Sequence, residues 1–122
     1  MYIPYICSIE IKTNKMNKAQ FDNMRKEIQD DLYDWAVSEF GSWEEFKNFA
    51  FIEGKEFYLP TKLVPPATFQ EWSEAKVNGG MTSGPIEVTD SWVRGFCVMD
   101  GHNRLKTLIS EGAEEIKVVF RV

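Results

Sequence analysis

The residues best equipped for chemistry in this 122-residue chain stand together at Asp100-Gly101-His102-Asn103-Arg104. They follow Phe96-Cys97-Val98-Met99, which reads as a buried strand, and they open an amphipathic helix. A glycine at such a corner lets backbone approach a ligand closely. The first N–H groups of a helix have no intrahelical acceptors, and the dipole end is positive. This pattern suits a phosphate or a carboxylate. Arg104 adds a bidentate, charge-assisted contact, His102 donates or shuttles a proton, and Asn103 offers donor and acceptor. Plainer readings exist for the same residues. Asp-Gly is an ordinary turn dipeptide. His102 also suits a helix cap, and Arg104 suits a surface pair with Glu87 or Glu111.

The elements that must hold this corner follow from periodicity. Leu105, Leu108 and Ile109 form the core face of the helix, Gly112 ends it, and Ile116 to Val122 alternates as a last strand. A strand, a helix and a strand in that order suggest a right-handed crossover between parallel strands. Upstream, Pro85 to Thr89 reads as a strand, Asp90-Ser91 as a turn, and Trp92 to Met99 as the returning strand. Thr68-Phe69-Gln70-Glu71 is a capping box for a helix ending near Val77. Asn78 to Gly84 is a polar, glycine-bearing loop without the lysine of a P-loop. Pro60, Pro65 and Pro66 exclude helix around them, and Phe57-Tyr58-Leu59 is a short strand.

The first half is simpler. Residues 2–12 are β-branched and aromatic and read as a strand that Pro4 confines to an edge or a start. Asn17 caps a long helix with Phe21, Met24, Ile28, Leu32, Trp35, Ala36 and Phe40 on one face, and Gly41 closes it. Ser42-Trp43-Glu44-Glu45 opens a second helix to about Ala50. The expected fold is α/β (α+β), a small mixed sheet with packed helices, in a single domain over 1–122.

Composition narrows the function classes. Hydrophobic residues make up 43% and aromatics 14%, enough for a packed core. The net charge is −5, and between Asp22 and Glu56 ten acidic residues face four basic ones. Direct nucleic-acid binding is therefore not expected, since it depends on neutralising many phosphates. No apolar run is long enough to span a membrane, and Met1 to Lys12 lacks a signal-peptide pattern, so a cytoplasmic protein is expected. Cys7 and Cys97 each sit in an apolar run and read as free buried thiols rather than a disulfide. With one histidine and no CxxC, no structural zinc site is expected. The acidic run Asp30-Asp31-Leu32-Tyr33-Asp34 lacks calcium-loop spacing and reads as a solvated helix face.

From Phe57 onward the layout resembles the ParB/sulfiredoxin-like superfamily. A short strand runs into a proline loop (Leu63-Val64-Pro65-Pro66). A helix and a glycine-bearing loop lead to Pro85-Ile86-Glu87-Val88. A second strand enters Asp100-Gly101-His102-Asn103-Arg104-Leu105, similar to the Asp-Gly-His-x-Arg element of stand-alone members. The resemblance implies a corner that holds nucleotide phosphates, as ATP, ADP or CTP with Mg2+. Gly101, His102, Asn103 and Arg104 would take the phosphate, Asp100 would orient the turn or a magnesium-bound water, and Thr82 and Ser83 would border the pocket. Sulfiredoxins place a cysteine where this chain has His102, so sulfinate reduction is not expected. No arginine follows the proline loop and no helix-turn-helix module follows within the chain, so neither CTP switching nor partitioning-type DNA binding is expected. Residues 1–56 match no part of the family.

Two functions follow as expectations. The first is a nucleotide-binding ATPase, CTPase or phosphotransfer enzyme with Asp100 and His102 as catalytic groups. The second is an inactive acidic interaction protein, of the kind mobile elements carry. Its helices at 17–50 would bind a partner that handles nucleic acid. Metal-dependent nuclease chemistry ranks last, because Asp100, Glu87 and His102 are its only candidate ligands.

Overall fold

The computed structural model describes residues 16–79 and 84–122. The strand expected at 2–12, Cys7, and the loop residues Thr82 and Ser83 lie outside the described residues. Asn17 caps helix α1 (Lys18–Phe40) with a reciprocal capping box, its side chain accepting the Gln20 amide while Gln20 answers its own. Phe21, Ile28, Leu32 and Ala36 are buried along one face, and Gly41 (φ 93°) ends the helix in the left-handed region. Ser42 then caps α2 (Trp43–Ala50) through the Glu45 amide.

The fold is α+β, as the periodicity implies. Four strands follow: β1 (Glu56–Pro60), β2 (Ile86–Ser91), β3 (Gly95–Asp100) and β4 (Glu115–Phe120). Between them lie α3 (Phe69–Glu74) and α4 (His102–Ser110). The sheet order is β1-β4-β2-β3, with β4 antiparallel to β1 and parallel to β2, and β2 antiparallel to β3. The strand–helix–strand run from β3 to β4 therefore does not make the expected parallel neighbours. β4 inserts beside β2 instead. Its consecutive buried residues Val118, Val119 and Phe120 suit a central strand covered on both faces.

Four local expectations also shift. The β2–β3 turn falls at Trp92-Val93-Arg94 rather than Asp90-Ser91, because the Ser91 hydroxyl accepts from the Val93 and Arg94 amides, and the strand runs two residues further. The proline-rich stretch holds one 3-10 turn, Thr61–Leu63. Helix α3 stops at Glu74, because α4 side chains capture the backbone beyond it. Val122, expected on the inner face of the last strand, is exposed beyond its end.

An aromatic cluster joins α1 and α2 to the sheet. Phe46 is fully buried, with the rings of Trp35, Phe40, Trp43, Phe51, Phe57 and Phe96 at 5.2–6.4 Å. Phe51 stacks on Phe96 and on Phe120. Residues from before and after position 56 thus share one core. Among the described residues no helix is long and apolar enough to cross a membrane.

Candidate functional site

β3 ends at Asp100, opposite Glu87 and beside a register shift in β2. Gly101 turns the chain at φ 119°, a conformation L side chains rarely adopt. A Cβ there would also meet the Ile86 side chain at 3.2 Å. Glycine is thus required twice, for the torsion and for the close approach of the corner to β2. The first helical bond runs from the Leu105 amide to the Gly101 carbonyl, and among the described residues no side chain caps α4. The amides of His102, Asn103 and Arg104 have no acceptor among the described residues. They point their partial positive charge out of the helix end.

His102 is only 8% exposed. Its Nε2 accepts the Ala67 amide at 3.0 Å, so the neutral ring carries its proton on Nδ1. Burial lowers the His102 pKa below its ordinary value, outweighing the Glu71 and Asp100 carboxylates that raise it, and Lys106 lowers it further. The proline loop it grips is also tied to β3, where the Val98 amide donates to the Pro65 carbonyl at 2.8 Å.

Asn103 Oδ1 accepts the Lys76 amide at 2.7 Å, and Thr107 Oγ1 accepts the Asn78 amide at 2.7 Å. Lys106 Nζ donates to the Ala75 carbonyl at 3.1 Å and lies 4.8 Å from the Trp72 ring centre. Burial lowers the Lys106 pKa. One face of α4 therefore binds the backbone at 67 and 75–78 through His102, Asn103, Lys106 and Thr107. The motif pointed to the first two. Lys106 and Thr107 were missed, although each stands four residues after one of them, one helical turn along the same face.

Arg104 belongs to a different set. It is half-buried and has neither ion pair nor side-chain hydrogen bond among the described residues. The expected surface partners do not take it, and Glu87 faces Arg121 instead. Arg104 lines an open cavity of about 390 Å³ with Glu71, Glu74, Met99, Asp100 and the first residues of α4. Among the described residues no three His, Cys, Asp or Glu are grouped to hold a metal ion. Cys97, one of the two thiols expected to be free, is buried and free. The cavity therefore combines three open amides and an uncommitted guanidinium with three carboxylates.

Compared with protein-family models, curated proteins and solved structures, the chain matches none.

Proposed function

We propose that the chain binds a nucleoside phosphate at the corner between β3 and α4. The observation that carries this reading is the pairing of amides at His102, Asn103 and Arg104 with the Arg104 side chain, none of them partnered among the described residues. Phosphate oxygens satisfy both kinds of donor at once. ATP, ADP and CTP are the candidate ligands, in keeping with the ParB/sulfiredoxin-like resemblance of residues 57–122. Glu71, Glu74 and Asp100 repel a bare polyphosphate, so the ligand enters as its magnesium chelate. His102 contributes a Nδ1–H donor rather than a base, because its Nε2 is committed to Ala67. If phosphate is then hydrolysed or transferred, Asp100 is the carboxylate beside the open amides, and Arg104 balances the charge that develops.

Calorimetric titration with the magnesium complexes of ATP, ADP and CTP tests the reading. One of the three is expected to bind the wild type, with Arg104→Ala weakening it at least tenfold. No binding heat from any of the three overturns the proposal.

A second reading has its own observation. Asp31, Asp34 and Glu39 on α1 are exposed and have no ion-pair partner among the described residues. That acidic face suits a basic protein partner, with a strong salt dependence. Charge reversal of Asp31, Asp34 and Glu39 is expected to abolish capture of such a partner while leaving thermal stability intact.

A further inference from the structure

The hairpin joining β2 and β3 presents Trp92 at 99% exposure and Val93 at 83%. An apolar tip of this kind on a slack loop would be unremarkable, but this one is held. Ser91 Oγ accepts from the Val93 and Arg94 amides at 3.2 and 3.1 Å. The Arg94 carbonyl accepts from Arg25 Nη2 at 2.6 Å and from Gln29 Nε2 at 2.8 Å, both on α1. A large aromatic side chain is therefore displayed in full on a pre-ordered turn. Exposed and pre-ordered tryptophan is the residue type that most often anchors an interface.

A receptor for it lies on the same chain. One residue N-terminal to Arg25 and to Gln29, Met24 and Ile28 line a second cavity of about 420 Å³, walled by Val64, Trp72, Leu105 and Ile109. Its lining is mostly apolar and its volume accommodates an indole. Thr61 stands in this wall, 4% exposed, and its hydroxyl is the buried side-chain polar atom without a partner among the described residues. An indole N–H can only donate, and a threonine hydroxyl can accept it once χ1 turns it to the cavity. Charges match as well. Exposed Asp90 and Arg94 flank the tip, exposed Lys62 and Glu114 border the cavity, and none of the four has an ion-pair partner among the described residues.

We infer that the occupant of this cavity is the Trp92 hairpin of a second copy of the chain. Trp92 enters beside the half-buried Met24, Ile109 and Ala113, with Val64, Trp72 and Leu105 behind them, while Asp90 meets Lys62 and Arg94 meets Glu114. Knob and hole both contact α1, and in the two-fold arrangement each copy places its hairpin in the other's cavity. This inference does not depend on phosphate binding at the α4 corner.

Sedimentation equilibrium over a range of concentrations tests it. The wild type is expected to dimerise and Trp92→Ser to remain a monomer. The exposure of Trp92 leaves the fold of that variant intact. Arg94→Glu and Glu114→Arg each weaken dimerisation at least fivefold, and the double swap restores it. A wild type that stays monomeric at millimolar concentration overturns the inference. So does a dimer indifferent to Trp92→Ser, or a charge swap without rescue. Native mass spectrometry showing a small apolar molecule carried by the monomer assigns the cavity to that molecule and overturns it too.

Discussion

His102 illustrates how one residue can satisfy a motif and yet be partly spent. Its Nε2 holds the Ala67 amide, and burial keeps the ring neutral. Folded His102 therefore titrates below the 6.5 expected of the unfolded chain. Above that pH both states are neutral and the histidine makes no pH-dependent contribution. As pH falls through it, the unfolded chain binds a proton that the folded chain resists, and stability is lost until the folded value is reached. His102→Gln keeps an acceptor near the Nε2 position without the titration. The wild-type melting temperature is expected to fall more steeply than that of His102→Gln between pH 7 and pH 5; parallel curves would show that the histidine does not titrate on unfolding. At pH 7.5, His102→Ala leaves the Ala67 amide buried without its acceptor and is expected to cost about 1–3 kcal/mol in urea unfolding. The Asp-Gly-His-Asn-Arg spacing made the corner legible in sequence. What it did not reveal was which side chains turn inward. His102 and Asn103 are drawn to backbone groups 35 and 27 residues away, a long-range demand that no local pattern encodes. Arg104 meets no such demand and stays unpaired among the described residues.

At the scale of elements, local signals worked where the chain satisfies its own hydrogen bonds. Asn17, Ser42 and Thr68 each accept the amide expected of them, and the apolar stripe of α1 faces the core. They failed where a neighbour competes. The α3 pattern continues towards Val77, yet Lys106 takes the Ala75 carbonyl and Asn103 takes the Lys76 amide, ending the helix early. Strand order was equally invisible, since β4 is placed by its pairing with β1 and β2 and not by its connection to β3. Gly101 makes the turn on which the corner depends. Gly101→Ala must hold φ 119° and press a methyl against Ile86 at 3.2 Å. A cost of about 1–3 kcal/mol in chemical denaturation is expected from the strain, together with loss of ligand binding. Wild-type stability in this variant would mean that the corner tolerates a side chain.

At the scale of the molecule, one core unites the acidic helices with the sheet that carries the site. Phe46 is its centre, touching rings from α1, α2, β1 and β3. Phe46→Ala is expected to destabilise the chain by about 3–5 kcal/mol, with both the helical and sheet regions melting in one transition; two separate transitions would contradict a shared core. Charge is divided over the same body, negative along α1 and mixed at the α4 corner, so the proposed phosphate ligand would be steered by local donors rather than by a global field. Amide-resolved NMR during titration with the magnesium nucleotides reads that corner directly. Binding there predicts that the His102, Asn103 and Arg104 amides shift first and furthest, and that these shifts vanish in Arg104→Ala. Unmoved signals at those three amides, or shifts confined to other surfaces, would contradict the phosphate site.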